Sequence, residues 1–521
     1  LTARNGKPEI KNPISDRAVY YLSDMSASSE PQLFWEPVPR RWMDLAAAGF
    51  AVGLAVAAGV AVLRGLQGRP DWKHWEEETQ ALLGSGDIAD HTAMYGYLPG
   101  FFVVLAPFAG IPPRWAAVPV FVASNLAALA VAIAAVRDRW MGGVAASQSW
   151  WWRLLFAVLV LMPVSLFEPL GVNQLSLWVL ALCAAGLGLV RSGREFAGGL
   201  LLGAACLIKP MPGMLVLFCA WKRHWSAVAG AALAGAVLDL GLCTLYFGFL
   251  SPDEQPGDRS RLVHGAVRTV EEHQEYLVRT ARHGWRWFLE EPLYYRRNQS
   301  VPAVLGRLLR AMPPEDNYVL VAGPLPEEQL RERLAETPGS DHVFRAPVPP
   351  HGVGMPTWTV TVLPIARYPH WNVADLPVEA VRGLYLAFLA GVAAVLLWSC
   401  RGSGPAIPDD RTWYAQASLW LMSMFWLTPY LTALYYVWVF PALAVLIERI
   451  FRDGDLSPRR RGVLIAAVAV WTAAQPLRFW LPGEFYGGQM WATFALGAGL
   501  LTLVRPRSAA RPADVHPPVG G

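Results

Sequence analysis

Residues 45–63 read LAAAGFAVGLAVAAGVAVL, and residues 68–99, just beyond them, read GRPDWKHWEEETQALLGSGDIADHTAMYGYLP. The first stretch carries no charged side chain. At about 1.5 Å per residue it crosses most of a roughly 30 Å hydrocarbon core, where a helix satisfies its own backbone. The second sets six carboxylates against Arg69 and Lys73 and adds Trp72, Trp75, Tyr95 and Tyr97. A membrane helix that runs straight into an acidic, aromatic loop is the pattern around which the rest of the chain is read.

The chain has 521 residues, 54% hydrophobic and 16% charged, and its mean hydropathy is +0.30. Its apolar residues come in blocks, which marks an all-α polytopic membrane protein. Further runs lie near Trp115–Val136, Trp152–Phe167, Leu175–Val190, Phe196–Leu207, Met214–Ala220, Val228–Phe249, Val381–Ser399, Ala415–Leu427, Leu431–Ile447, Val463–Trp480 and Trp491–Leu503. With the first run they make about 12 membrane helices. Trp42, Trp115, Trp151, Trp152, Trp221, Trp225 and Trp480 stand at the ends of runs, where an indole suits the headgroup layer. The first run is too long for the core of a cleaved signal, and no A-x-A-like site precedes the loop.

The net charge of +4 does not point to nucleic acid. Basic residues gather instead at Arg40-Arg41, Arg137 to Arg139 with Arg153, Arg191 to Arg194, Lys222-Arg223, Arg449 to Arg461 and Arg505 to Arg511. The positive-inside rule assigns these to the cytoplasm. Residues 65–97 then lie outside, and Leu98–Pro113 must dip into the membrane and return on the same side. Asn173, Lys209, residues 250–379 and Pro429 fall on that outer face. The expected units are a cytoplasmic segment 1–44, an N-terminal transmembrane module 45–249, an extracytoplasmic cap 250–379, C-terminal helices 380–504 and a cytoplasmic tail 505–521. The five cysteines sit in or beside apolar runs and form no disulfide framework.

Polar residues interrupt the runs at two places. GVNQ at Gly171–Gln174 joins two spans, and CLIKPMPGM at Cys206–Met214 joins two that are too short to be ordinary spanning helices. Its prolines remove amide donors, a defect tolerated at membrane depth where protein or a watery cavity covers the freed carbonyls. Lys209 at such a break either faces a cavity or snorkels to the interface. In the cap, Leu262, Val267, Val270, Tyr276 and Leu277 recur at helical spacing and predict amphipathic helices on the membrane surface. DNYVLVAGPLP and PTWTVTVLPIARYP predict short strands with proline stops. YYRRNQS sets Arg296 and Arg297 beside Asn298, Gln299 and Ser300, a group suited to a phosphate or to anionic headgroups.

Glu76, Glu77 and Glu78 stand at successive positions and cannot share one helix face. Asp71 is held in a tight segment after Gly68, Arg69 and Pro70. It serves either as a turn or helix-cap residue or as a general base for an acceptor hydroxyl. In the second reading Trp72, Tyr95 and Tyr97 present rings to a sugar, while Lys209, Arg296 and Arg297 surround a phosphate leaving group. The scheme calls for no metal and no cofactor, and no D-x-D triplet occurs in an outer loop.

The order DWKHW, YGYLPGFFVVLAPF, GVNQLSLWVL, AGGLLLGAACLIKPMPGMLVL, YYRRNQSVPAVLGRLLR and LTPYLTALYYVWVFPALAVL resembles the bacterial integral-membrane glycosyltransferases of family 87, over roughly residues 45–505. The resemblance implies a GT-C fold, a polyprenyl-phosphate sugar donor such as a polyprenol-phosphate mannose, inversion at the anomeric carbon, and a lipid-linked or cell-envelope glycan acceptor. It also implies a site on the outer face of the cytoplasmic membrane. The family's catalytic aspartate falls on Asp71, its Lys-Pro break on Lys209-Pro210, and its Asn-x-Ser segment on Asn298, Gln299 and Ser300. Its G-Q-x-N turn is replaced by Gly171-Val172-Asn173-Gln174, so Asn173 or Gln174 takes that place. Pro429, Tyr430, Tyr435 and Tyr436 stand where many relatives carry a polar or histidine-bearing segment, and Tyr430 is assigned with the sugar or acceptor. The rival readings are an oligosaccharide ligase or polymerase acting on lipid-linked glycans, a secondary transporter using the broken helices, and a membrane scaffold.

Overall fold

Prolines open many of the helices and glycines or prolines end them, so the punctuation of the sequence becomes the punctuation of the fold. The computed structural model describes residues 40–68, 70–85, 97–109, 112–140, 162–251, 260–289, 299–310, 318–323, 359–364, 373–401, 410–428, 431–454, 456–479 and 486–504. The acidic, aromatic stretch forms α2 (Pro70–Ser85) behind α1 (Arg40–Leu66), followed by α3 (Pro99–Ala109) and α4 (Arg114–Ala135). Next come α5 (Pro163–Gly171), α6 (Ser176–Arg191), α7 (Glu195–Ile208), α8 (Gly213–Trp221), α9 (Trp225–Gly235) and α10 (Leu242–Phe249). The long segment 250–379 supplies α11 (Arg261–Leu289) and α12 (Val301–Leu309). The C-terminal part holds α13 (Val378–Ser399), α14 (Asp410–Leu427), α15 (Phe440–Arg452), α16 (Pro458–Ala474) and α17 (Gly488–Val504).

The fold is essentially all-α. Among the described residues the exception is one antiparallel pair between α12 and α13 in sequence, β1 (Tyr318–Gly323) and β2 (Thr359–Pro364), with Tyr318 opposite Pro364. These are the two stretches that the sequence marks as strands. Among the described residues, five helices are long and apolar enough to cross a membrane: Ala47–Leu66, Arg114–Trp140, Trp225–Phe249, Val378–Ser399 and Ala433–Arg452. The last is the innermost, with 78% of its apolar window buried against 11% for Ala47–Leu66, which faces outward nearly all round. The 11 residues of α3 reach only about 16 Å, too short to span and consistent with a segment that dips and returns. Residues 152–161 of the expected run at Trp152–Phe167 lie outside the described residues.

The two ends of the bundle differ in chemistry. Arg191 reaches Asp410 at 2.5 Å, the Tyr414 hydroxyl donates to the Arg139 carbonyl at 2.6 Å, and His224 meets Glu195 at 2.7 Å. The basic clusters at Arg139, Arg191 and His224 thus gather where α6 ends. Asn173 and Gln174 stand at its other end, about 24 Å away for a 16-residue helix.

The short α7 is held by a close seam rather than by large side chains. Along α7, Gly199 and Gly203 face Ala227 and Ala231 of α9, the small-x-x-x-small pattern that lets helices touch at their backbones. A Cβ on Gly199 would lie 1.9 Å from the Ala227 carbonyl oxygen. Gly199→Ala should therefore destabilise the fold by roughly 1–3 kcal/mol, read as a lower melting temperature in detergent. Gly391→Ala on α13, where a Cβ meets nothing within 4 Å, should be neutral or slightly stabilising. Equal melting of the two variants would contradict the seam.

Candidate active site

Helix α2 is seated by a stripe at helical spacing, Trp72, Trp75, Thr79 and Leu82, all of it buried. Trp72 packs edge-on against Phe121, ring centroids 5.4 Å apart, and is fully enclosed. Its ring belongs to the core and presents no face to an open cavity, which departs from the sugar-platform expectation. Trp75, one turn on, faces the polar turn: its indole N–H donates to the Asn173 carbonyl at 3.1 Å. Asp71 lies in the first turn of α2.

The polar turn is built on Asn173, whose φ of 60° places it in the left-handed region that asparagine tolerates better than most residues. The Gln174 amide closes back to the Pro169 carbonyl at 2.9 Å, ending α5. The Asn173 side-chain amide donates to the Ala61 carbonyl at 3.0 Å, so a single residue ties α1, α2 and the turn together. Its Oδ1 is buried and has no hydrogen-bond partner among the described residues. Gln174 beside it is half-buried.

The Lys-Pro break produces the most distinctive environment. Pro210 forces Lys209 into an extended conformation, φ −145° and ψ 132°, and α7 stops there. The Lys209 side chain is nevertheless buried, 7% exposed. Its ammonium sits 3.6 Å from the centroid of the Tyr97 ring and 5.4 Å from that of Tyr435. Aromatic faces are suitable neighbours for a cation removed from water. Tyr97 in turn stacks on Phe101 and meets Trp75 edge-on, centroids 4.9 and 5.2 Å apart. Trp75, Asn173, Tyr97, Lys209 and Tyr435 thus form one continuous chain of contacts, drawn from five separate segments. Next to it, Leu98, Cys206, Leu207, Gly213, Val228 and Asp239 line an almost wholly apolar cavity of about 330 Å³.

In the Asn-x-Ser segment, the Gln299 amide donates to the Leu431 carbonyl at 2.6 Å and its side-chain oxygen accepts from the Tyr436 hydroxyl at 3.3 Å. Ser300 is buried and caps α12, its hydroxyl accepting from the Ala303 amide at 3.4 Å. The segment is thereby docked on the same 431–436 stretch that carries Tyr435. Tyr95, Arg296, Arg297, Asn298 and Tyr430 lie outside the described residues.

The sequence reading missed Asp239 and His273. Asp239 is 7% exposed within a π-helical bulge, Ala236–Gly241, that interrupts the span Trp225–Phe249. Its Oδ1 accepts from the Gly100 amide at 2.7 Å, and its Oδ2 lies 3.0 Å from His273 Nε2. Burial works against a charged His273, but Asp239, the Thr269 carbonyl and Glu272 outweigh it, and the ring titrates above the ordinary histidine value. The available signal was a carboxylate in an apolar run, which at membrane depth points to function or to a partner.

Residues 95–323 match the family model described as glycosyltransferase family 87. No curated protein matches the chain, and no solved structure does. The matched segment holds Tyr97, the Asn173 turn, the Lys209 break and the Asp239–His273 pair, whereas Asp71 and Tyr435 lie on either side of it. Over residues 95–323, a little under half of its length, the chain is therefore similar to glycosyltransferase family 87.

Proposed function

We propose that the protein is an inverting transferase that moves a hexose, mannose first among the candidates, from a polyprenyl-phosphate donor to a lipid-linked or cell-envelope glycan at the outer face of a bacterial cytoplasmic membrane. The observation that carries this reading is the buried Lys209 ammonium, bracketed by Tyr97 and Tyr435 beside an apolar cavity. A donor with an anionic head and an isoprenoid tail asks for that pairing of a desolvated cation with an apolar recess.

In the reaction, an acceptor hydroxyl oxygen attacks the anomeric carbon from the side opposite the phosphate, and its proton passes to the Asp71 carboxylate. The bond from that carbon to the phosphate oxygen breaks, and the electron pair leaves with the polyprenyl phosphate. Lys209, with Arg296 and Arg297, balances the added negative charge, so the leaving group needs no separate acid. Tyr97 and the Asn173–Gln174 turn border the sugar.

The test is transfer from a synthetic short-chain polyprenyl-phosphate sugar, run in parallel on right-side-out and inverted membrane vesicles. Product is expected from a donor added to the right-side-out preparation. Product from the inverted vesicles alone would reverse the orientation. No product from either, together with substrate flux across the vesicle wall, would replace the transferase with a transporter.

A further inference from the structure

The Asp239–His273 pair joins three elements that the sequence keeps far apart. Gly100 is the second residue of α3, and its amide has no carbonyl one turn back to bond within the helix. The Asp239 carboxylate takes that donor and adds a negative charge at the positive end of the helix. The approach leaves no room for a side chain, since a Cβ on Gly100 would lie 2.4 Å from Asp239 Cα. On the other side, His273 holds Asp239 from α11, and its Nδ1 lies 2.8 Å from the Thr269 carbonyl one turn earlier. Nδ1 is within hydrogen-bond geometry of the Thr269 carbonyl, whereas Nε2 lies 3.0 Å from Asp239 Oδ2 without hydrogen-bond alignment, so what His273 offers Asp239 is the nearby positive charge of the protonated ring.

Helix α11 buries one face and exposes an apolar one. Gly265, Thr269, Glu272 and Tyr276 are buried toward the body, and α11 touches α10 so closely that a Cβ on Gly265 would lie 2.1 Å from the Thr244 carbonyl oxygen. Leu262, Val263, Val267, Val270, Leu277 and Val278 stay exposed along another face, as on a helix lying in a membrane interface. Around the pair, the nearby titratable groups are Glu272 and Arg268 on α11, which bond to each other at 2.9 Å, Cys243 on α10 and Cys206 on α7 across the cavity. Helix α3 contributes no titratable side chain. Among the described residues His273 is thus the cation that faces Asp239, and Gly100 is the donor that shares it.

Three residues before Gly100 stands Tyr97, whose ring covers the Lys209 ammonium. We propose that Asp239 and His273 are positioning residues: a charged clasp that fixes the start of α3 and, through it, the seat of Tyr97 over Lys209, so that donor affinity depends on a pair that does not touch the donor. The inference rests on the transferase reading for its effect on donor, and on the geometry alone for the clasp. Because a raised histidine pKa keeps the ring charged at and below the unfolded value, the clasp is complete at lower pH and is lost as pH climbs through the raised value.

The experiment pairs two readouts on the full-length protein in detergent, for Asp239→Asn and His273→Gln. Hydrogen exchange over residues 97–109 reports the clasp without any donor. Both variants should lose protection there, and the parent's protection, with the base-catalysed rise in intrinsic amide exchange divided out, should fall as pH rises while that of His273→Gln changes less. Transfer kinetics with a short-chain polyprenyl-phosphate sugar should then show KM for the donor rising about tenfold with kcat little changed. Unchanged exchange in both variants would overturn the clasp. Faster exchange with unchanged donor KM, or a loss confined to kcat, would overturn the positioning role. His273→Gln alters a half-buried group on a surface helix, so it remains decisive if Asp239→Asn fails to fold. A parent protein that turns over no such donor would sink the transferase reading, and the clasp would then stand or fall on exchange.

Discussion

Asp71→Asn should lower turnover by roughly 10² to 10⁴-fold, the usual worth of a general base, while donor KM changes little. The amide keeps the shape of the carboxylate but cannot accept the acceptor's proton. Its helix is seated by groups the substitution leaves alone: Trp75 on the Asn173 carbonyl and Tyr246 on the Leu82 carbonyl. The comparison is Glu76→Gln, which gives up an ion pair with the part-exposed Arg114. Pairs of that kind contribute about 0–1 kcal/mol, so turnover should stay near that of the parent. Glu77 is exposed, and Glu77→Gln should behave the same way. The measurement is initial rate at saturating donor, after each variant elutes as a folded species. Near-parent turnover of Asp71→Asn with a loss at Glu76 would move the base along α2.

Lys209→Met should weaken donor binding by about tenfold to 150-fold, the equivalent of a lost charge-assisted contact of roughly 1.5–3 kcal/mol. Methionine fills the space that alanine would leave empty and stays compatible with the rings of Tyr97 and Tyr435. The loss should therefore reflect charge rather than packing. Tyr97→Phe retains the ring face that covers the ammonium and should cost little by comparison. Binding of a polyprenyl monophosphate without sugar would isolate the phosphate contact from the rest of the donor. Equal affinity of parent and Lys209→Met for that lipid would mean that Lys209 is bracketed for packing alone.

The breaks in the membrane runs were legible because their residues act locally. Pro210 ends α7 whatever surrounds it, Asn173 suits a left-handed turn, and α3 is short because Pro99 and Pro113 bound it. The burial of Trp72 follows from its place in a stripe with Trp75, Thr79 and Leu82, a periodicity that outweighs its position beside Asp71. Tyr435 was seen as a departure from the family's pattern and not as a neighbour of Lys209, since that contact spans more than two hundred residues of chain. The Asp239 clasp was out of reach for a different reason. Widening one turn of a helix has no residue signature, and neither partner, an amide at a glycine and a ring in the cap region, announces itself in sequence.

The bulge at Ala236–Gly241 has a geometric effect beyond Asp239. A turn closed by i→i+5 bonds holds one residue more than an α turn, so α10 is rotated by about 100° from where an unbroken helix would have carried it. That phase aims Tyr246 at the Leu82 carbonyl and Thr244 at Thr269. The azimuths of α2 and α11 are therefore both encoded in one surplus residue inside a long apolar helix. A chain lacking that residue would have to orient α2 and α11 by contacts of another kind.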